Sequence, residues 1–246
     1  MKDNIMIEQR FANQRGFSDH GWLKARFTFS FANYWDPKQI GFSDLLVIND
    51  DQIASGRGFG THPHKNMEIF SYVLEGALEH RDSMGNGSII KAGDIQLMSA
   101  GSGVTHSEFN PSSTQKTHSL QIWIVPNEEN TKPTYQQHHI PNELKRGKLQ
   151  LIISPDGENN SLYIRQDIKI YSGLFDGEEQ EIFNIPENRY VYLHVARGSL
   201  KINDLIFNAG DGARIRHEQQ LHFNHGQNAE VLLFDMRPIE TNCPYM

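Results

Sequence analysis

Apolar and polar positions alternate with period two through most of this chain, and helical periodicity is scarce. Successive strand side chains point to opposite sides, so Arg26-Phe27-Thr28-Phe29-Ser30-Phe31 predicts a strand with three phenylalanines on one face. Ile69 to Leu74 and His118 to Val125 (HSLQIWIV) alternate in the same way, and Val191–Val195, Leu205–Phe207 and Val231–Phe234 add short β runs. Gly85-Asn86-Gly87, Ala92-Gly93-Asp94, Asn203-Asp204 and Ala209-Gly210-Asp211 punctuate them. Asn86-Gly87 predicts a two-residue type I′ hairpin, because both residues tolerate positive φ. Short strands with closely spaced turns predict an all-β sandwich or barrel.

The pattern repeats. YVLEGALEH followed by KAGDIQLMSAG in the first half is matched by YLHVARGSLKI followed by NAGDGARIR in the second. In both copies a strand ends at a glycine, Gly76 or Gly198, and an Ala-Gly-Asp turn follows at Gly93 or Gly210. Two copies of one β unit predict a duplicated barrel. The polar, proline-bearing segment Pro126 to Gly147 is the expected junction, giving domains at 1–135 and 136–246.

Composition narrows the function classes. The 246 residues carry a formal charge of −7 without a basic run, so no electrostatic footprint for nucleic acid is present and direct binding to it is not expected. No apolar run reaches the roughly 20 residues of a membrane helix, and MKDNIMIEQR lacks the apolar stretch of a signal peptide. The single cysteine, Cys243, has no partner for an intrachain disulfide. Together these features predict a cytoplasmic protein.

The candidate chemistry lies in two short stretches, GTHPHKNME at 60–68 and THSEFN at 105–110. Side chains at i and i+2 on a strand share a face, so His62 projects with His64, and His106 with Glu108. Inward positions of neighbouring strands converge in a small barrel, which would gather three imidazoles and a carboxylate. That donor set suits one divalent first-row transition metal and leaves positions open for substrate, water or dioxygen. Surface or hydrogen-bonded histidines are the ordinary reading of one such pair; two pairs, each following a glycine-rich turn, favour a metal. A closed zinc site remains an alternative.

These residues also carry a resemblance. Gly56, His62-x-His64, Glu68 and Gly76 resemble the first cupin motif. Gly93, Gly101, His106 and Asn110 resemble the second, with two extra residues before the histidine and Ser99 where a proline is common. With HGWLKARFTFSFANYWDP at 20–37 and MSAGSGVTHSE at 98–108, nearly the whole chain resembles the bacterial branch of the pirin family, which includes flavonol (quercetin) dioxygenases. The resemblance implies two cupin (jelly-roll) barrels in one all-β chain. It also implies a metal at His62, His64, His106 and Glu108, with Glu68 not a ligand. Iron(II) is the implied ion; manganese, nickel, copper and zinc are not excluded by ligand type. The second half departs from the pattern: the positions equivalent to His62 and His64 fall on Asn184 and Pro186. The C-terminal barrel is therefore expected to lack metal ligands, with His217, His222 and His225 on the surface or hydrogen-bonded.

Two function classes follow. One is a dioxygenase that takes a small hydroxylated aromatic and O2 at the open metal positions, with Glu108 as the base. The other is a metal-binding, redox-responsive regulator acting through a protein partner. A channel reaching Glu108 from solvent would discriminate between them. Gly56-Arg57-Gly58-Phe59-Gly60 looks like a phosphate loop, but no helix follows it, so it is read as the rim that delivers His62. His118 is in phase with Leu120, Ile122 and Ile124, as either a core histidine or a residue facing the cavity.

Overall fold

Alternating β-branched and aromatic residues fold more than half of this chain as strands, as expected for an all-β protein. A computed structural model describes residues 6–240, and Cys243 lies outside them. In chain order the strands begin β1 (Ile7–Arg10), β2 (Gly16–Asp19), β3 (Leu23–Phe27), β4 (Leu45–Ile53), β5 (Gly58–His64), β6 (Glu68–Glu75) and β7 (Ala77–Asp82). Then come β8 (Gly87–Lys91), β9 (Asp94–Ser99), β10 (Val104–Phe109), β11 (Thr117–Ile124), β12 (Thr134–His139), β13 (Leu149–Ser154) and β14 (Leu162–Tyr163). The last are β15 (Ile168–Phe175), β16 (Glu181–Asn184), β17 (Tyr190–Ile202), β18 (Leu205–Asn208), β19 (Gly212–Ile215) and β20 (Gln220–Met236). The short α1 (Asn142–Lys145) is the one α-helix among the described residues. No helix there is long and apolar enough to cross a membrane.

The described residues form two compact units, one of residues 16–140 and 164–166, the other of 6–15, 141–163 and 167–240. The junction expected at residue 135 falls inside β12, which stays paired with β9 through His139. In the first unit a seven-stranded sheet runs β12-β9-β6-β11-β4-β3-β2, and a four-stranded sheet runs β5-β10-β7-β8. The second unit is built on one nine-stranded sheet, β1-β19-β17-β20-β15-β13-β14, with β16 and β18 paired on β20 and β17. Its core gathers Phe175, Leu193, Phe207, Phe223 and Leu233.

Gly76, Gly93, Gly198 and Gly210 all have positive φ, so the repeated glycines occupy the same kind of left-handed turn in both halves. Two local expectations change. The strand predicted over 26–31 stops at Phe27; Phe29 is still buried, but Phe31 closes an isolated bridge with Tyr34. The β7–β8 hairpin turns at Gly85 (φ 92°) rather than through a type I′ turn at Asn86-Gly87. Asp82 Oδ1 accepts hydrogen bonds from Met84 N and Asn86 N, and this side-chain cap sets the longer turn.

The inward residues of β4 and β6 in the first unit run apolar, polar, apolar. On β4, Val47 and Ile53 belong to separate apolar clusters, with Asn49 and Asp51 between them. On β6, Ser71 sits between Ile69 and Val73 in the same way. Gln96 of β9 and Gln121 of β11 lie beside Met98 and Trp123 of one cluster and continue the polar band. Burying so many polar groups costs stability unless partners meet them, so the band marks where function is to be sought.

Candidate metal centre

The β5–β10 pairing brings the two histidine stretches together. The strands are antiparallel with His106 opposite His62 and Val104 opposite His64, so the i, i+2 pairs arrive side by side. A register shift between His106 and Glu108 places Glu108 against Phe59. The strands are closest there: a Cβ on Gly58 would overlap the Glu108 carbonyl, so only glycine lets β5 approach the bulge.

The His106 Nε2 atom lies 3.0 Å from His64 Nε2 and 3.0 Å from His62 Nε2. Hydrogen bonds on the far sides of two rings assign their tautomers. His62 Nδ1–H donates to the Gly60 carbonyl at 2.8 Å, which leaves Nε2 with a lone pair. His80 Nε2–H donates to Asp82 Oδ2 at 3.1 Å, so His80 Nδ1 accepts from His106 Nδ1–H at 3.4 Å, and His106 Nε2 also carries a lone pair. Burial first, then neighbouring histidines, hold His64 down to about 4 and His106 down to about 2. The His64 and His106 imidazoles are therefore neutral at pH 7. The His62 and His106 lone pairs face one another at 3.0 Å and fit a shared cation far better than they fit each other, and no thiolate is present among the described residues.

Glu108 stands slightly apart. The nitrogens of His62, His64 and His106 form one group within 4.8 Å, while the Glu108 carboxylate groups with His106 and His80. It is 3 % exposed and accepts hydrogen bonds from Ser71 Oγ at 3.2 Å and Gln121 Nε2 at 2.9 Å. Burial pushes it up to about 7 despite those two hydrogen bonds. Glu68 accepts from Ser99 Oγ at 2.7 Å and belongs to neither group.

His62, His64 and Glu108 line a cavity of about 750 Å³ that is walled by Trp22, Phe27, Phe31, Phe59 and Trp123. Exposed His20, Ala32, Pro63 and Lys65 are also at its wall, so it opens to the surface. Trp123 packs edge-on against His64 with ring centres 4.9 Å apart, which limits the rotamers His64 can take. Asp51 lines the same cavity, and burial, then Asp50 and Glu108, push its carboxyl up to about 8.

His118 does not face this space. It hydrogen-bonds Asp50 Oδ1 at 2.7 Å, and the next pair in register, Ser119 and Asp51, is the one that turns inward. His222 is exposed on β20, and Asn184 Oδ1 accepts from Gln220 Nε2. Sequence reading missed His80 and Asp82, although His80-x-Asp82 has the same i, i+2 spacing as the predicted pairs. His80→Gln should lower metal affinity about 10–100-fold without abolishing binding, because it loosens the orientation of His106 rather than removing a ligand. Titration with a competing chelator measures this.

The shifted groups also set a pH dependence for chelator-treated protein. His64 and His106 bind fewer protons folded than unfolded below their ordinary 6.5, so their contribution rises with pH and is complete near 6.5. Glu108 and Asp51, raised from 4.5 and 3.8 to about 7 and about 8, hold more protons folded than unfolded, so stability falls as pH rises through that range. The metal-free protein should therefore lose stability between pH 6.5 and 8, and Asp51→Asn should flatten the decline. Urea unfolding midpoints across that window provide the check.

Comparison with known proteins bears on this geometry. The model of the family described as Pirin matches residues 8–124, and that of a quercetinase C-terminal cupin domain matches residues 151–236. A protein of Escherichia coli strain K12 named quercetin 2,3-dioxygenase is 48% identical over 234 residues, covering 95% of this chain and all of that one. A pirin-like protein of Caulobacter vibrioides is 37% identical over 231 residues, covering 94% and 99%. The crystal structure of a bacterial pirin from Escherichia coli in complex with nickel(II) superposes with a TM-score of 0.90 at 47% identity, covering 95% of this chain and all of that one.

Proposed function

This chain belongs to the pirin family, and from that premise we propose that it is a metal-dependent dioxygenase acting on a ring-hydroxylated aromatic such as a flavonol. The observation that carries the reading is the convergence of the His62 and His64 nitrogens on His106 Nε2, each 3.0 Å from it, beside an aromatic cavity that His62, His64 and Glu108 line. His62, His64, His106 and Glu108 would hold the ion. We take it to be iron(II), although the same donors accept manganese, nickel, copper or zinc, and the Escherichia coli relative was crystallised with nickel(II). When bound, such an ion supplies Lewis acidity toward a substrate hydroxyl and access to redox chemistry with O2.

The chain's own side chains do the rest. Trp22, Phe59 and Trp123 present ring faces and edges that suit a flat aromatic and exclude bulk water. Of the four side chains that would hold the ion, Glu108 alone is a carboxylate able to take the proton of a phenolic hydroxyl, which makes it the base. Ser71 and Gln121 hold its two oxygens, so the proton is received at a fixed position. A cavity that opens to the surface and reaches Glu108 favours this reading over a regulator with a closed metal.

Oxygen-electrode measurements on iron-loaded protein with a panel of flavonols test the proposal. The expected result is O2 uptake that depends on flavonol and matches its consumption. No uptake with any member of the panel would overturn the reading.

A further inference from the structure

Three polar groups in the cavity have no structural task. Asn49 is 4 % exposed and Asp51 5 % exposed, both on the inward face of β4, and both line the cavity together with Trp123 of β11. Asn49 Oδ1 and Trp123 Nε1 are buried without a hydrogen-bond partner among the described residues. The Asp51 carboxyl interacts with Asp50 and Glu108 only through charge and receives no hydrogen bond there. Its register neighbours, Ala25 on β3 and Ser119 on β11, supply none.

Two of the neighbouring polar residues differ. Ser71 and Gln121 are engaged with Glu108 and with each other. Val47 and Ile53, which flank Asn49 and Asp51 at the next inward positions of β4, are apolar, so leucine-like residues fit this strand well. A buried acceptor, a buried donor and a carboxyl left unmatched in a cavity that admits ligands are each unfavourable in the free protein. A ligand carrying complementary groups relieves all three.

Resting on the dioxygenase reading above, we propose that Asn49, Asp51 and Trp123 form a specificity subsite that recognises oxygen substituents of the aromatic substrate other than the one that meets Glu108. Asn49 Oδ1 accepts from a phenolic hydroxyl, the Trp123 indole N–H donates to a hydroxyl or carbonyl oxygen, and the Asp51 carboxyl bonds a further hydroxyl. The preferred substrate is then a polyhydroxylated aromatic. An aromatic carrying only the hydroxyl and carbonyl needed at the metal leaves the subsite unmatched, and such mismatches discriminate strongly.

Anaerobic calorimetric titration of the iron-loaded protein with quercetin and with 3-hydroxyflavone, which lacks the additional hydroxyls, tests the subsite. Wild type is expected to bind quercetin at least about tenfold more tightly than 3-hydroxyflavone. In Asn49→Leu and Asp51→Leu that ratio falls toward one through weaker quercetin binding, with 3-hydroxyflavone within about twofold of wild type. Unfolding midpoints of both variants at or above wild type support a recognition role, since a structural polar group would lower the midpoint when removed. An unchanged ratio, equal weakening of both ligands, or a lowered midpoint overturns the subsite. Wild type binding both flavonols equally overturns the subsite and leaves the dioxygenase reading intact, whereas wild type binding neither overturns both.

Discussion

His106→Ala is expected to abolish metal retention and reduce O2 uptake to background. His106 is the shared member of the cluster: its Nε2 lies 3.0 Å from both other imidazole nitrogens, and its Nδ1–H is anchored through His80 to Asp82. Losing an outer partner costs about 10–100-fold in metal affinity, so losing the central ligand should cost on the order of a thousandfold or more. The difference appears in thermal unfolding as well as in metal analysis. At a free-metal concentration of about 1,000 times Kd, the wild type gains about 4 kcal/mol, whereas the variant should gain almost nothing. Midpoints without metal separate loss of the site from loss of the fold. A variant that purifies with one metal per chain would remove His106 from the ligand set.

Glu108→Gln should leave a folded protein whose catalysis is reduced by about 10²–10⁴-fold. The fold survives because the amide can satisfy the same neighbours. Its oxygen accepts from Gln121 Nε2, and its NH2 group donates to Ser71 Oγ, whose proton then turns from residue 108 to Gln121 Oε1, 2.8 Å away. The amide also removes a carboxyl that burial makes unfavourable as an anion, so the metal-free variant should unfold at higher urea than wild type above pH 7. What is lost is a group able to take a proton near neutrality. The limb of the pH–rate profile that reflects that group should vanish with it. Activity within about tenfold of wild type would exclude Glu108 as the base.

The two candidate pairs were legible because strand parity is local. His62-x-His64 and His106-x-Glu108 each needed only the rule that alternate residues share a face. The repeat was legible for a similar reason: a glycine at positive φ leaves a residue-level trace, and Gly76 with Gly198 and Gly93 with Gly210 adopt it in both halves. The type I′ turn at Asn86-Gly87 was misread because Asp82, several residues earlier, caps the hairpin and draws the turn back to Gly85. His118 was left open because parity tells which residues share a face without telling which face is inside.

By itself, the sequence determined the all-β class, the two copies of the β unit and the residues of the two histidine stretches, since each rests on periodicity or spacing within a few residues. Only the tertiary structure decided what those residues meet. The β10–β5 register and its bulge set Glu108 beside His80 rather than within the three-histidine group. Asn49, Asp51 and Gln121 reach the cavity from β4 and β11, and Ser71 reaches Glu108 from β6, strands far apart along the chain. Such convergence depends on long-range register and on how burial acts on polar groups, and neither is encoded in any single short window of sequence.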